Sequence, residues 1–538
     1  MTATRGTETR LLDRRCFIFC LFVLGIVVLY PTTRLLFEVA RHARFDAAVA
    51  GAGWAAIRNT LLISLATVVC AGFTGTALAF AFARYTFPGR DLLAAMAYLP
   101  FALPPLVGVL SFYYLIGRDG LLPRIAERVL VTNGVSLEGP LAILVIHTYS
   151  FFVFFYAMVS AAIENLDAAQ IEAARTLGAR RIRVMTRVVF PALRPAVLGA
   201  ALLTFMSSTA SFSAPYFFGR DFPMLSVRIF DERMQFHEAE ALALTVILAA
   251  MSLMGLILFR SSPKRGTGAS KGVRVPIRGR VARIAAPLFM WLFVLFLLTP
   301  HLCIAWMSFI DHRAWHAELI PTRFTLENFA RLFQDPQSLA PIRNSLWMSV
   351  LAAFLTLAVA APAGYLVGRK KPGSRLLYMI VMLPWALPGT VIAMNMIVAF
   401  NDPWLPLYNT VWLLPLAYFV RGVPLAARMA VAAIEPFDIS LVEAARTLGA
   451  SPAFCFLRVV GPLLAPTFVV AGALVLVTSL GEFVTSILLY MPANIPIAVK
   501  INMEWRGSVG AAFAYSMLLM VIVAAAFVVS RRLASRPI

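Results

Sequence analysis

Residues 161–179 of the 538-residue chain read AAIENLDAAQIEAARTLGA, and residues 432–450 read AAIEPFDISLVEAARTLGA. At a constant offset of 271 residues, 13 of these 19 positions are identical, and the octapeptide EAARTLGA is unchanged. Two upstream segments also repeat, LPFALPP (99–105) as LPWALPG (383–389) and RNTLLIS (58–64) as RNSLWMS (343–349). Self-similarity at a near-constant spacing indicates an internal duplication of the chain.

Long apolar runs surround these repeated segments. Hydrophobic residues make up 60% of the chain and charged residues 14%, whereas a soluble surface needs about 25–35% charge. Runs of about 20 apolar residues are long enough to cross a bilayer as helices, and they lack the alternation of barrel strands. We therefore predict an all-α polytopic membrane protein with about 12 transmembrane helices. The runs lie at about 16–36, 57–83, 92–116, 141–163, 196–218, 239–259, 284–308, 344–368, 377–399, 411–434, 467–490 and 511–530.

The net charge of +21 has a topological explanation. If both termini lie in the cytoplasm, the cytoplasmic segments hold 29 of the 47 Lys and Arg residues, as the positive-inside rule requires. A basic excess is also typical of nucleic-acid-binding proteins, but membrane orientation accounts for it here, so no nucleic-acid partner is predicted. Basic segments of this kind also contact anionic lipid.

The duplication predicts two transmembrane domains, 1–259 and 284–538, joined by a basic cytoplasmic linker at 260–283. Because each repeat holds six spans, an even number, both repeats enter the membrane in the same direction. They are therefore parallel repeats, with a cavity expected between them. Both EAARTLGA segments then lie on the cytoplasmic face.

Each EAARTLGA segment is predicted to form a short helix. Asp167 and Asp438 precede it as N-terminal signals, and Gly178 and Gly449 follow as C-terminal signals. The helix is either a connector packed against its own bundle or a docking element for a partner. Two identical copies on one face favour docking.

This pattern resembles the signature of inner-membrane permeases of bacterial ABC importers, EAA-x3-G-x9-hydrophobic-x-x-P in a cytoplasmic loop. The first copy also has Val188 and Pro191, and the second Val459 and Pro462. The family pattern usually has Leu before this Pro, where the chain has Phe190 and Gly461. Two such units in one chain further resemble the fused type I permeases for iron(III), thiamine and 2-aminoethylphosphonate.

The resemblance implies that each segment is a coupling helix for one of two separate ATP-binding subunits, and that a periplasmic binding protein delivers the substrate. No Walker A motif is present, so ATP and magnesium are expected in the partner ATPase and this chain is not expected to be an enzyme. The location implied is the bacterial inner membrane. The predicted coupling residues are Glu172, Ala173, Ala174, Gly178, Glu443, Ala444, Ala445 and Gly449.

Charged residues within membrane spans mark candidate positions on the translocation pathway. Glu482 lies in the eleventh predicted span, where the first repeat has Ser211, and Arg421 lies in the tenth, where it has Ser150. Two interpretations stay open. Glu482 and Arg421 form a pair inside the bundle, or Glu482 faces the central cavity and meets a cationic substrate.

Prolines and histidines supply weaker signals. Pro104 and Pro388 interrupt the third and ninth spans at matching positions, where helices either line the pathway or bend to pack. His147 is interpreted as a hydrogen-bonded bundle residue rather than a ligand. His312 and His316 are four residues apart in an external loop, but without further ligands no metal site is predicted.

The function predicted from the sequence is transport of iron(III) through an ABC importer permease. Thiamine and 2-aminoethylphosphonate are alternatives within that class. A secondary transporter driven by an ion gradient also uses repeats, but it should hold more titratable groups in the membrane than one Glu. A scaffold or receptor without transport would not need interrupted spans in a duplicated bundle.

Overall fold

The computed structural model describes residues 2–118, 120–130, 136–259, 275–276, 280–311, 313–314, 318–438 and 440–534. In this part of the chain, ten helices are long and apolar enough to cross a membrane, and the number rises to 12 if each of two bent helix pairs is one span. The predicted all-α membrane architecture is therefore confirmed. Most of the predicted linker, 260–274 and 277–279, lies outside the described residues.

Helices occupy nearly all of the described chain up to residue 259. They are Thr2–Leu24, Gly25–Leu29 (π), Tyr30–His42, Phe45–Val49, Ala52–Arg84, Arg90–Met96, Leu99–Ala102 (3-10), Pro105–Ile116, Leu121–Leu130, Gly139–Glu164, Ala168–Thr176, Arg181–Val184, Met185–Val189 (π), Phe190–Thr209, Ser213–Phe218, Leu225–Met234 and Glu238–Leu258.

The remaining described chain follows a similar order and is preceded by one short strand. This strand, Val275–Pro276, pairs in parallel with Tyr85–Thr86, which lies between two helices of the first set. The helices are Arg280–Ser308, Glu327–Gln334, Pro336–Gly368, Ser374–Ala386, Gly389–Phe400, Leu413–Ile434, Ser440–Thr447, Pro452–Cys455, Phe456–Val460 (π), Gly461–Leu480, Val484–Leu489, Pro492–Asn494 (3-10), Ile497–Glu504 and Val509–Ala534.

The repeat extends to irregular backbone. Each repeat has a π-helical turn at the same place after the EAARTLGA segment, Met185–Val189 in the first and Phe456–Val460 in the second. Each turn is followed by a helix with Pro at its second residue, Pro191 or Pro462. Because Pro has no backbone N–H, the regular hydrogen-bond pattern is interrupted there, and single π turns are a common way to accommodate such an interruption.

The chain divides into two compact units, one formed mainly by Arg44–Trp306 and the other by Met1–Ala43 with Pro321–Ile538. We call them the 44–306 unit and the 321–538 unit. Each unit thus takes one helix from the other half of the sequence. The division at 259 and 284 stays a prediction about the boundaries of the repeats.

Specific contacts hold the N-terminal helix in the 321–538 unit. The Tyr30 hydroxyl donates to the Ala399 carbonyl at 3.1 Å, and Lys371 lies 2.6 Å from the Asp13 carboxylate. In the 44–306 unit, the Tyr149 hydroxyl donates to the Leu297 carbonyl at 2.9 Å and fixes the helix Arg280–Ser308.

Glycine permits the closest helix contact in the 321–538 unit. A Cβ atom at Gly364 would lie 2.3 Å from the Cβ of Ala430, on the helix Leu413–Ile434. Small residues at such positions let helix backbones approach each other in a membrane. This contact positions Leu413–Ile434, which contains Arg421.

We predict that Gly364→Ala destabilises the protein, because the added methyl group has no space beside Ala430. Overpacking of this kind costs about 1–3 kcal/mol. Thermal unfolding in detergent should show a lower melting temperature than for the wild-type chain. Gly25→Ala is the matched control, since nothing lies within 4 Å of its added Cβ. Equal melting temperatures for both variants would contradict the packing described here.

Candidate functional site

The first EAARTLGA segment forms a helix with defined ends. We call Ala168–Thr176 the first loop helix. Asp167 caps its start, because its carboxylate accepts from the Ala169 N–H at 2.9 Å. Such a cap satisfies one of the backbone donors left free at a helix N-terminus.

The second copy has the same construction. We call Ser440–Thr447 the second loop helix. Asp438 accepts from the Ser440 N–H at 2.9 Å. Hydrogen bonds from Ser440, first from its backbone N–H, lower the pKa of the exposed Asp438 carboxyl. The cap therefore stays ionised at neutral pH.

Both loop helices end in the same glycine motif. Ala179 N–H donates to the Ala174 carbonyl at 3.0 Å and Gly178 N–H to the Arg175 carbonyl at 2.9 Å. The equivalent pair in the second copy measures 3.1 and 3.0 Å. This is the Schellman pattern, which needs a left-handed residue after the helix. Gly178 and Gly449 supply it with φ of +77° and +89°.

The surface of each loop helix is open. In both copies the Glu, the first Ala of EAA and the Gly are exposed, whereas Ala174 and Ala445 are half-buried. Next to each Gly, an apolar side chain stands in solvent: Leu177 is 87% exposed and Leu448 is 90% exposed. The two repeats thus expose the same apolar side chain at equivalent positions.

The pathway candidate Glu482 lies in a break between helices. The eleventh predicted span, 467–490, is not continuous: one helix ends at Leu480 and the next begins at Val484. The prediction that Glu482 lies within a spanning helix was wrong in this respect. The Thr485 N–H, at the start of the second helix, donates to Glu482 Oε1 at 3.0 Å, so the carboxylate stabilises the break.

Arg421 and Glu482 form an ion pair. Arg421 Nε lies 2.8 Å from Glu482 Oε2, and the exposed fractions of the two side chains are 36% and 9%. The carboxylate is therefore enclosed, with one oxygen hydrogen-bonded to Thr485 and the other paired with Arg421. Of the two interpretations drawn from the sequence, the geometry favours the pair over a carboxylate directed at a cationic substrate.

The equivalent break in the first repeat is neutral. Ser211 lies between helices that end at Thr209 and begin at Ser213. The buried His147 bridges two hydroxyl groups there, with Nε2 2.9 Å from Ser211 Oγ and Nδ1 3.0 Å from Ser208 Oγ. The interpretation of His147 as a hydrogen-bonded bundle residue is confirmed. The same backbone break thus holds a polar bridge in one repeat and an ion pair in the other.

The two prolines break their spans instead of bending them. Pro104 and Pro388 are the N-cap residues of the helices Pro105–Ile116 and Gly389–Phe400. The helix before Pro388 and the helix after it are bent by 109°. At this break the guanidinium of Arg421 lies close to the backbone of Gly389, since a Cβ atom added to Gly389 would lie 2.5 Å from Arg421 Nη1.

Three features of the site escaped sequence reasoning. These are the backbone N–H of Thr485, the contact of Arg421 with Gly389 and the exposure of Leu177 and Leu448. The repeated Leu was a usable signal, because an apolar residue next to a helix-terminating Gly in a charged loop has no obvious core to join. The other two contacts join segments distant in sequence.

Potential metal ligands are dispersed in the described part of the chain. Across these ranges, no group of three or more His, Cys, Asp and Glu side chains is arranged to hold a metal ion. His312 and His316 lie outside the described residues.

Comparisons with known proteins agree with this geometry. The profile of the family described as "Binding-protein-dependent transport system inner membrane component" matches residues 71–265 and 360–537. A probable ABC transporter permease protein of Sinorhizobium fredii is 30% identical over 89% of this chain and 85% of its own length. A ferric transport system permease protein of Actinobacillus pleuropneumoniae is 27% identical over 87% of this chain and 69% of its own length. A sulfate transport system permease protein of Salmonella typhimurium is 30% identical over 44% of this chain and 85% of its own length.

We predict that Arg421→Gln destabilises the protein more than Glu482→Gln. The first change leaves a buried carboxylate without its cation, whereas the second leaves a guanidinium that water can reach. An unpaired buried charge costs more than about 1–3 kcal/mol, so the difference should be measurable as a lower melting temperature for Arg421→Gln.

The double variant should recover most of that loss and resemble Glu482→Gln alone, as expected for coupled residues. In the first repeat, Ser150→Ala with Ser211→Ala is the control pair, for which we expect additive effects. A larger loss for Glu482→Gln than for Arg421→Gln would contradict the burial of the carboxylate.

Proposed function

Because the chain belongs to the family of binding-protein-dependent transport system inner membrane components, we propose that it couples to two separate ATPase subunits through its two loop helices. As a fused ABC importer permease with two copies of the family domain, it supplies the transmembrane part of the transporter. The predicted coupling residues from Glu172 to Gly178 and from Glu443 to Gly449 are the contacts proposed for the ATPases.

The observation that supports this proposal best is that both loops carry the same EAARTLGA octapeptide and expose the same Glu, Ala, Leu and Gly residues of it. A connector that only packs against its own bundle would bury its apolar residues. Here Leu177 and Leu448 project into solvent beside rigid glycine caps. Two equal surfaces fit two copies of one partner, since a homodimeric partner presents the same pocket twice.

Rigid ends suit a helix that transmits force. Each loop helix has an Asp cap at its start and a Schellman cap at its end, so it can move as one body when a partner shifts it. The residues after each cap lead through a short helix, Arg181–Val184 or Pro452–Cys455, and the π turn into a long apolar helix, Phe190–Thr209 or Gly461–Leu480. Movement of the ATPases would therefore reach the membrane helices through a short connection.

Orientation follows from the distribution of charge. The basic residues of the loops support a topology with both termini and both loop helices in the cytoplasm of a bacterial cell. The ATPases would then bind from the cytoplasm, and a periplasmic binding protein would deliver the substrate from the opposite side. ATP hydrolysis is assigned to the partner subunits.

For the substrate we propose iron(III), supported by the similarity over 87% of the chain to a ferric permease. The similarity of one half of the chain to a sulfate permease supports an oxyanion as the second candidate. Thiamine and 2-aminoethylphosphonate, suggested by the fused architecture, have no such support among the relatives described. An ion-gradient mechanism has no use for paired docking helices.

We predict that Leu177→Asp combined with Leu448→Asp abolishes ATPase binding without unfolding the chain. Both side chains are exposed, so the substitutions should change stability by about 0.5 kcal/mol or less. Loss of a central apolar contact typically weakens an interface by about 2 kcal/mol or more, roughly 30-fold. Co-purification of the ATPase and cellular uptake of ⁵⁵Fe(III) and ³⁵S-sulfate measure the effect.

The matched control is Leu326→Asp, at a leucine that is 69% exposed on the predicted outer side. It should leave ATPase binding intact. The proposed function fails if the wild-type chain binds no ATPase subunit, or if the paired loop variants bind it as well as the wild type does.

We also predict that Gly178→Ala combined with Gly449→Ala impairs coupling more than binding. No atom crowds either position, so the only penalty is backbone strain at positive φ, about 1–2 kcal/mol at each site. The helix ends should shift, and less substrate should be transported per ATP hydrolysed.

Gly139→Ala controls for strain itself, because Gly139 has φ of +65° and open space around it but lies outside both loop helices. It should leave the ratio of transport to ATP hydrolysis unchanged. An equal loss in the double variant and in Gly139→Ala would remove the loop helices from the coupling step.

A further inference from the structure

One helix of the 321–538 unit has a narrow, basic exposed face. Most residues of the helix Leu413–Ile434 are buried, and its exposed residues are Arg421, Arg428 and Ala432. Together with the half-buried Leu425 they follow the spacing of one helix face. We call this face the arginine stripe.

The side chains of the arginine stripe face water and not hydrocarbon. Leu413–Ile434 is one of the helices that are long and apolar enough to span the membrane. Charged side chains in a span face the bundle interior or a water-filled cavity, because hydrocarbon does not solvate them. Arg421 and Arg428 are seven residues apart, about 10 Å along the helix, and share the face that other helices leave uncovered.

Positive charge dominates the stripe. Glu482 neutralises part of Arg421, but its carboxylate is only 9% exposed and is bound on both oxygens. The guanidinium of Arg428 lies 5.5 Å from the centre of the Trp385 ring, and within the described ranges it has no carboxylate at salt-bridge distance. The groups that an incoming solute would meet are therefore guanidinium groups.

A helix N-terminus adds to this potential. Gly389 begins the helix Gly389–Phe400 and lies against Arg421 Nη1. The N-terminus of a helix carries a partial positive charge from its free N–H groups. This terminus is itself buried, and its partial positive charge adds to the attraction of the neighbouring Arg421 for anions.

We propose that the arginine stripe lines the substrate pathway and selects cargo with an exposed oxyanion group, either a free oxyanion or iron(III) enclosed by carboxylate ligands. The inference rests on the proposed function, in which this chain forms the pathway. Guanidinium groups bind carboxylates and tetrahedral oxyanions through paired N–H donors. A bare cation such as thiamine would be repelled at the same surface.

The first repeat provides an internal comparison. At the offset of 271 residues, the stripe corresponds to Ser150, Phe154, Ala157 and Ala161. This face contains no charged residue, so the selectivity is assigned to the second repeat.

The test uses the full-length chain in lipid nanodiscs with its five native cysteines replaced by serine. Leu425→Cys places a thiol between the two arginines, and Phe154→Cys places one at the uncharged equivalent. Each thiol is treated with an anionic and a cationic methanethiosulfonate reagent. The modification rate with each reagent is divided by the rate of the same reagent with a free thiol in solution. Cation-lined surfaces concentrate anions on the order of tenfold or more.

We expect the anionic reagent to modify Leu425→Cys about tenfold faster than the cationic reagent, with no such preference at Phe154→Cys. Arg428→Gln should reduce the preference while leaving the Arg421–Glu482 pair untouched, and Arg428→Lys should retain it. Equal rates, a preference for the cationic reagent, or no reaction at Leu425→Cys would overturn the proposal.

Two competing solutes distinguish the possible cargo. If a free oxyanion is the cargo, sulfate at millimolar concentration should slow the modification. If liganded iron is the cargo, ferric citrate should slow the modification and sulfate should not. Protection by neither would overturn the proposal. These measurements need no ATPase, so they can fail while the loop helices still bind ATPase subunits, and the reverse also holds.

Discussion

Hydrocarbon cannot hydrogen-bond to the backbone, and this constraint governs where the chain can leave helical geometry. The breaks at 210–212 and 481–483 each need polar groups that replace the lost helical partners. In the second repeat the Glu482 carboxylate accepts from the Thr485 N–H and pairs with Arg421. In the first, His147 bridges Ser208 and Ser211. Two chemical solutions therefore maintain one backbone shape, and that shape sets the positions of the helices around it.

Duplication gives the protein two kinds of sites. On the loop side the copies are identical: the same octapeptide, the same Asp cap, the same left-handed glycine and the same exposed leucine. Within the membrane the copies have diverged: where the second repeat has Arg421 and Arg428, the first has Ser150 and Ala157 at the equivalent positions. Equal loop surfaces suit the proposed docking of a symmetric partner that treats both halves alike. Unequal inner faces suit a solute that has no symmetry to match.

Much of the loop structure was predictable, because its causes are local. Asp167 and Asp438 cap nearby N–H groups, and Gly178 and Gly449 adopt a conformation that other residues avoid. The break at Glu482 was not predictable in this way. Its run of apolar residues is long enough for one continuous span, and nothing in the local sequence indicates that the carboxylate binds an N–H three residues later. The sequence left open whether Glu482 pairs with Arg421 or faces the cavity, and the enclosed carboxylate beside the more exposed Arg421 favours the pair.

The sequence by itself determined the class of the protein, the duplication, the approximate number of spans and where along the chain both loop helices begin and end. These properties depend on hydrophobic length, charge distribution and short-range capping, which neighbouring residues encode. Only the tertiary structure decided which helices form each compact unit, which side chain of the ion pair is exposed and that Arg421 and Arg428 share an open face. Burial depends on what distant segments place beside a residue, and Leu413–Ile434 is enclosed by helices from before and after it in the chain, so its one uncovered face is a property of the assembled unit.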